Sequence, residues 1–141
     1  MKEKKLYTSI AESSYGKITF TEHLADLFTE SYQLLIRSKG SEVDFSLYGW
    51  GNIPGVQELS SSCARTRGGY LMFKQQGSIY CVEDGIFEVC HFDSKEMYID
   101  IRYCFRMAEI NSVEPVESRQ WLHLEGEMQN IEILPVLCQV Q

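Results

Sequence analysis

Apolar and polar side chains alternate through the middle of this chain. Between residues 71 and 105 the apolar set Leu71, Phe73, Tyr80, Val82, Phe87, Val89, Ile99, Ile101, Tyr103 and Phe105 recurs mostly at every second position. Such a period places one face of a strand against a core and the other toward water. Three turn signals interrupt it: Gln76-Gly77, Asp84-Gly85 and the run "DSKEM" at 93–97. Asp-Gly is a favoured two-residue hairpin turn. With turns at all three, the segment reads as a four-stranded meander. Phe73 then pairs with Tyr80, and Leu71 with Val82. Val82 pairs with Phe87 and Tyr80 with Val89 across the second turn. For the third, pairing Phe92 with Tyr98 sets Val89 against Ile101, Phe87 against Tyr103 and Glu88 against Arg102. A slip of one residue would set Val89 against Asp100 and Phe87 against Arg102, burying charges beside apolar groups.

The N-terminal third reads differently. "TFTEHLADLFTE" carries Leu24, Leu27 and Phe28 at helical spacing behind a possible N-cap at Thr21, which predicts a helix ending near Ser31. "YQLLIRSKGSEVDFSLYGW" either continues that helix or forms strand, turn, strand. The alternation of Val43, Phe45 and Leu47 with Asp44, Ser46 and Tyr48 favours a hairpin turning at Lys39-Gly40-Ser41. "YGWGNIPGVQEL" reads as a loop, and "VQELSSSCARTR" as one or two helical turns through Val56, Leu59 and Cys63. Two further strands, "WLHLE" and "IEILPVLCQV", follow, with Pro135 placing the last at an edge or a bulge. The expected fold is a single α+β domain over residues 1–141: an antiparallel meander sheet of about five to seven strands, with one main N-terminal helix packed on one face.

Length and composition fit that picture. The chain has 141 residues, 44% of them hydrophobic, enough to build one core. No run approaches the roughly 18 apolar residues of a membrane-spanning helix. "MKEKKLYTSIAESSYGK" has a basic start but no apolar segment behind it, so it does not read as a secretory signal. Five widely spaced cysteines with no C-x-x-C pair read as free thiols in a reducing compartment. A cytoplasmic protein is the expectation.

Charge adds more. The net charge is −7. Beyond Met107 the acids Glu109, Glu114, Glu117, Glu125, Glu127 and Glu132 face one base, Arg119. Such a body repels phosphate backbones, which argues against nucleic acid, and it attracts a basic protein.

Candidate chemistry is sparse. "IYCVEDGIFEVCHFD" gathers two cysteines, a histidine and four carboxylates. Cys90 and His91 are strand neighbours whose side chains leave on opposite faces. Cys81 and Cys90 would be diagonal partners about 7–8 Å apart, at or beyond the reach of a disulfide. Asp84 belongs to the turn, Glu88 meets Arg102, and His91 falls on the apolar face as a partly buried structural histidine. His123 and Glu125 share a strand face and could form a metal or acid–base site with His91, but surface residues on an edge strand are the preferred reading. Arg65 and Arg67 beside Gly68-Gly69 could cradle an anion, although solvated loop arginines are the simpler reading. No metal or cofactor is assigned. Trp50, flanked by glycines, is either a contact residue on a binding loop or a lid over the sheet.

These features favour a binding protein over an enzyme. The leading reading is a bacterial immunity or inhibitor protein that blocks the active-site cleft of a basic, nuclease-type toxin. Its contact residues would be Glu83, Glu88, Asp100, Trp50, Glu109, Glu114, Glu117, Glu125 and Glu127. The alternative is a small-molecule-binding domain or small enzyme, with a site between sheet and helix near His91, Tyr103 and Trp50. An open edge strand would also permit a homodimer.

Overall fold

The computed structural model describes residues 9–28, 30–31, 33–50, 55–60, 68–110 and 120–136, without the side chains of 50, 55–60 and 68. Its elements are all strands: β1 (Ser9–Ser13), β2 (Gly16–Phe20), β3 (Glu22–Phe28), β4 (Gln33–Lys39), β5 (Val43–Trp50), β6 (Gly55–Ser60), β7 (Gly68–Phe73), β8 (Ile79–Asp93), β9 (Tyr98–Glu109) and β10 (Trp121–Val136). Strands β3, β4, β5, β7, β8, β9 and β10 close into a seven-stranded barrel, with the β1–β2 hairpin added to β10 and β6 added to β8. The ring runs up and down, so its first and seventh strands point the same way. Hence the seam between β3 and β10 is parallel while the other ring pairs are antiparallel. The free ends of the sheet are the short strands β2 and β6.

The α+β expectation is therefore overturned: the described residues form an all-β barrel with no helix. The segment read as the main helix is β3, paired with both β4 and β10. Along it His23, Ala25 and Leu27 turn inward, a period of two hidden by the histidine and the alanine. Leu24 and Phe28, which gave the helical spacing, sit half-buried on the other face. The 33–50 hairpin forms, but Tyr48–Trp50 and Gly55–Ser60 are strand rather than loop or helical turn.

The meander needs a larger correction. No hairpin forms at Asp84-Gly85, because β8 runs unbroken for 15 residues. Its inward positions are Tyr80 and Val82, then Phe87 and Val89, then Phe92; the parity changes twice. Each change marks a register shift, between Val82 and Asp84 and between Val89 and His91. A bulge inserts one residue and rotates every following side chain to the opposite face. Gly85 has φ +149°, and a Cβ there would strike the Cys104 carbonyl and the Phe105 ring. Only glycine suits that backbone and that gap. The register of Phe87, Glu88 and Val89 with Tyr103, Arg102 and Ile101 is as expected, but the second bulge pairs Phe92 with Ile99 instead of Tyr98. On the other side Leu71 faces Tyr80 rather than Val82, a shift of two that keeps the same face inward. Strand β10 likewise joins the two strands expected after Gln120, through a register shift between Met128 and Ile131. Pro135 lies on β10 past the end of its pairing with β9, with only β3 alongside.

Side chains fill the barrel, as in other barrels of about this strand number. Phe20, Phe45, Tyr103 and Phe105 form an aromatic column with successive ring centroids 5.6, 5.3 and 5.5 Å apart. Such pairs add roughly 0.5–1.5 kcal/mol each beyond their buried area. One polar chain shares this interior. Ser38, fully buried, donates to Met128 Sδ at 3.3 Å, so its oxygen accepts from His23 Nδ1 at 2.8 Å. His23 Nε2 is then the acceptor facing Ser9 Oγ at 3.1 Å. Burial lowers the His23 pKa, keeping the ring neutral. The exterior carries charged residues on β3, β4, β5, β8, β9 and β10, the opposite sense to a membrane-spanning barrel.

Candidate functional site: the outer face of β8, β9 and β10

Three antiparallel strands present their outward residues in ordered rows. Glu88, Arg102 and Glu127 make one row; Ile86, Cys104 and Glu125 the next; Asp84, Arg106 and His123 a third. With Asp100 and Glu132, the face carries six carboxylates, Asp84, Glu88, Asp100, Glu125, Glu127 and Glu132, against the guanidiniums of Arg102 and Arg106.

Two carboxylates are satisfied internally. Arg102 Nε and Nη2 both donate to Glu88 Oε1. Arg106 donates to Asp84 Oδ2 at 3.0 and 2.6 Å and lies 4.6 Å from the Trp121 ring centroid. Asp84 is thus an ion-pair residue on a strand, not a turn residue. Asp100 Oδ1 accepts the Asn130 backbone N–H at 2.6 Å, where the β10 bulge turns through a positive φ. Glu125, Glu127 and Glu132 are exposed, and none has a Lys or Arg salt bridge among the described residues.

The residues named from sequence divide accordingly. Glu88, Asp100, Glu125 and Glu127 share this face, with Glu88 committed to Arg102. Glu83 sits in the first β8 bulge, close enough to Cys81 to help raise its pKa after burial. Glu109 is opposite Tyr80, nine residues along β9 from Asp100, or about 30 Å at strand rise. Trp50 ends β5 opposite Gln33, across the ring from β9 and β10, and its side chain is outside the described set. Glu114, Glu117, Cys63, Arg65 and Arg67 also lie outside the described residues.

The bulges, and the absence of a helix among the described residues, overturn three further expectations. His91 is exposed rather than partly buried, its ring centroid 5.6 Å from that of Tyr98. Cys90 is exposed beside it. Cys81 and Cys90 occupy one continuous strand, not opposite arms of a hairpin. A ligand site between sheet and helix near His91 has no helix to form it, and Tyr103 is part of the packed column.

What sequence reading missed is the meeting of Cys104 with His123 and Glu125. Cys104 Sγ lies 4.0 Å from His123 Nε2 and 3.9 Å from Glu125 Oε2, and the imidazole and carboxylate are 3.7 Å apart. Each residue was legible as outward-facing, since Tyr103, Phe105, Leu122 and Leu124 turn inward. Only the β9–β10 register brings them together. Burial and Glu125 both raise the Cys104 pKa, so the trio is not arranged as an activated thiolate nucleophile.

A second feature lies on the opposite side. Arg37, Ser46, Tyr70 and Cys81 form one cross-strand row, and Lys39, Asp44, Met72 and Ile79 the next. They line a groove of about 520 Å³ bordered by Ile110. Among the described residues Asp44 Oδ1 is buried there with no hydrogen-bond partner, although Lys74 Nζ is 3.6 Å away.

No family model, curated protein or solved structure matches the chain. The fold class is that of a closed, side-chain-filled β-barrel with a charged exterior.

Proposed function

We propose that the chain is a binding protein that meets a basic protein through the outer face of β8, β9 and β10. The partner class that suits this charge is a nuclease-type toxin, which the barrel would inhibit as a bacterial immunity protein in the cytoplasm. One observation carries the reading: six carboxylates to two guanidiniums on one sheet face, with Glu125, Glu127 and Glu132 exposed. A cleft shaped for phosphate is electropositive, and carboxylates complement it and speed the encounter. The test is purification of the chain from its own cells at low salt, followed by identification of what accompanies it. The expected partner is a basic protein that dissociates as salt rises and is lost from a Glu127→Lys/Glu132→Lys variant. A partner indifferent to salt and to those reversals would overturn the proposal.

The groove beside Tyr70 and Asp44 supports a second reading, a small-ligand site at a place other than the one expected from sequence. Its buried carboxylate oxygen would accept a hydrogen bond from a ligand. Ligand-induced thermal stabilisation that Tyr70→Ser abolishes would favour it over the first.

A further inference from the structure

We propose that Cys104, His123 and Glu125 form a binding site for a zinc-class divalent transition-metal ion on the outer face of the β9–β10 pair. Three chemically different ligands, a sulfur, an imidazole nitrogen and a carboxylate oxygen, lie within 4.8 Å of one another. Tetrahedral Zn²⁺, with bonds of about 2.3 Å to sulfur and 2.0–2.2 Å to nitrogen and oxygen, holds such ligands roughly 3.3–3.6 Å apart. The observed separations of 4.0, 3.9 and 3.7 Å exceed that by about half an ångström or less. Small side-chain rotations close the gap, and no backbone need move.

The surroundings favour this chemistry. Glu125 is directly opposite Cys104 and His123 is diagonal to it, so two rigid strands set the geometry. Ser14 brackets the His123 backbone: its N–H donates to the His123 carbonyl at 3.1 Å and its hydroxyl accepts the His123 N–H at 3.2 Å. Arg106, the nearest guanidinium in register, is held by Asp84 on the far side. On the near side Glu12 of β1 is opposite Glu125, with Lys17 of β2 beyond it in the same row. The mixed S, N, O set selects zinc or cobalt over calcium or magnesium, which take oxygen alone. His123 and Glu125 are exposed, so a coordination position stays open to water or to a group from another molecule.

This inference does not depend on the proposed partner, and different variants test the two. Co²⁺ is the probe, because a thiolate bound to it adds a charge-transfer absorption to the visible bands of a tetrahedral site. Titration of the whole chain should saturate at one equivalent with that absorption, and Zn²⁺ should displace it. Cys104→Ser should abolish the absorption, and His123→Gln and Glu125→Gln should each weaken binding by at least about tenfold. All three side chains lie on the outer face, and denaturation curves check that each variant folds. Cys90→Ser, an exposed thiol on β8, should leave the titration unchanged. Absence of thiolate absorption in the unmodified protein, or its persistence in Cys104→Ser, would overturn the proposal.

Discussion

The two sides of the barrel use the same alternation to different ends. On the outer face of β3, β4 and β5, Glu22, Asp26 and Asp44 stand against Arg37 and Lys39, with Glu42 and Lys74 side by side in the adjoining turns, and Arg37 Nη2 reaches Asp26 Oδ2 at 2.7 Å. On the outer face of β8, β9 and β10, six carboxylates outnumber two guanidiniums. The first side is close to neutral and grooved, with Tyr70 in the groove and Ile110 at its border. The second is acidic, and holds the sulfur, imidazole and carboxylate trio. The common interior cannot produce this asymmetry, because the same apolar core supports both faces. It comes from outward residues that folding leaves nearly free to vary, and that is where binding is written.

The strongest way to break the comparison is at β8, which lines the groove at one end and carries part of the acidic face at the other. The first half of β8 sends Ile79 and Cys81 to the groove; the second sends Ile86 and Glu88 to the acidic face. Gly85 lies between them. Gly85→Ala should lower stability by at least about 1–3 kcal/mol, the cost of a side chain held in a glycine-only backbone region. Urea denaturation should show a single transition at a lower midpoint, since both faces lose their support together. Unchanged stability would mean that the bulge is not built as described.

Acid comes next. The His23 pKa is lowered by burial, while in the unfolded chain it is about 6.5. Above that value the ring is neutral in both states. As pH falls through it the unfolded chain takes up the proton first, so stability drops until the lower folded pKa is passed. Denaturation midpoints should fall from pH 7 to pH 5 more steeply in the natural chain than in His23→Gln. Equal slopes would show that the Ser9–His23–Ser38 chain does not hold a neutral ring.

The smallest effects should have opposite signs on the two faces. Asp26→Asn removes the partner of Arg37 and should cost about 0.2–1 kcal/mol. Glu132→Gln removes a charge that has no Lys or Arg salt bridge among the described residues, and should be neutral or slightly stabilising, within about 0.5 kcal/mol. Midpoints compared at low and high salt check this, because screening should shrink the difference. Two changes of the same sign would mean that the faces do not differ in electrostatic balance.

Much of the core was legible in the sequence. The ten alternating apolar residues singled out between Leu71 and Phe105 do face inward, and Glu88 does meet Arg102. The error at Asp84-Gly85 has a physical origin: a two-residue hairpin turn and a single bulge both change the parity of an apolar pattern, and one sequence cannot distinguish them. The error at Glu22–Phe28 is related. Leu24, Leu27 and Phe28 satisfy a helical period, while His23, Ala25 and Leu27 satisfy a strand period whose inward histidine disguises it. Pairing on both sides, with β4 and β10, decided in favour of the strand.

By itself the sequence determined which residues prefer water and which avoid it, and hence an acidic body around an aliphatic and aromatic core. Those preferences are properties of each side chain and survive any error of topology. The tertiary structure decided closure, register and company: that seven strands form a ring, that bulges rotate His91 outward, and that Cys104 stands beside His123 and Glu125. These depend on which backbone edges find each other, and backbone hydrogen bonds are nearly the same for every residue.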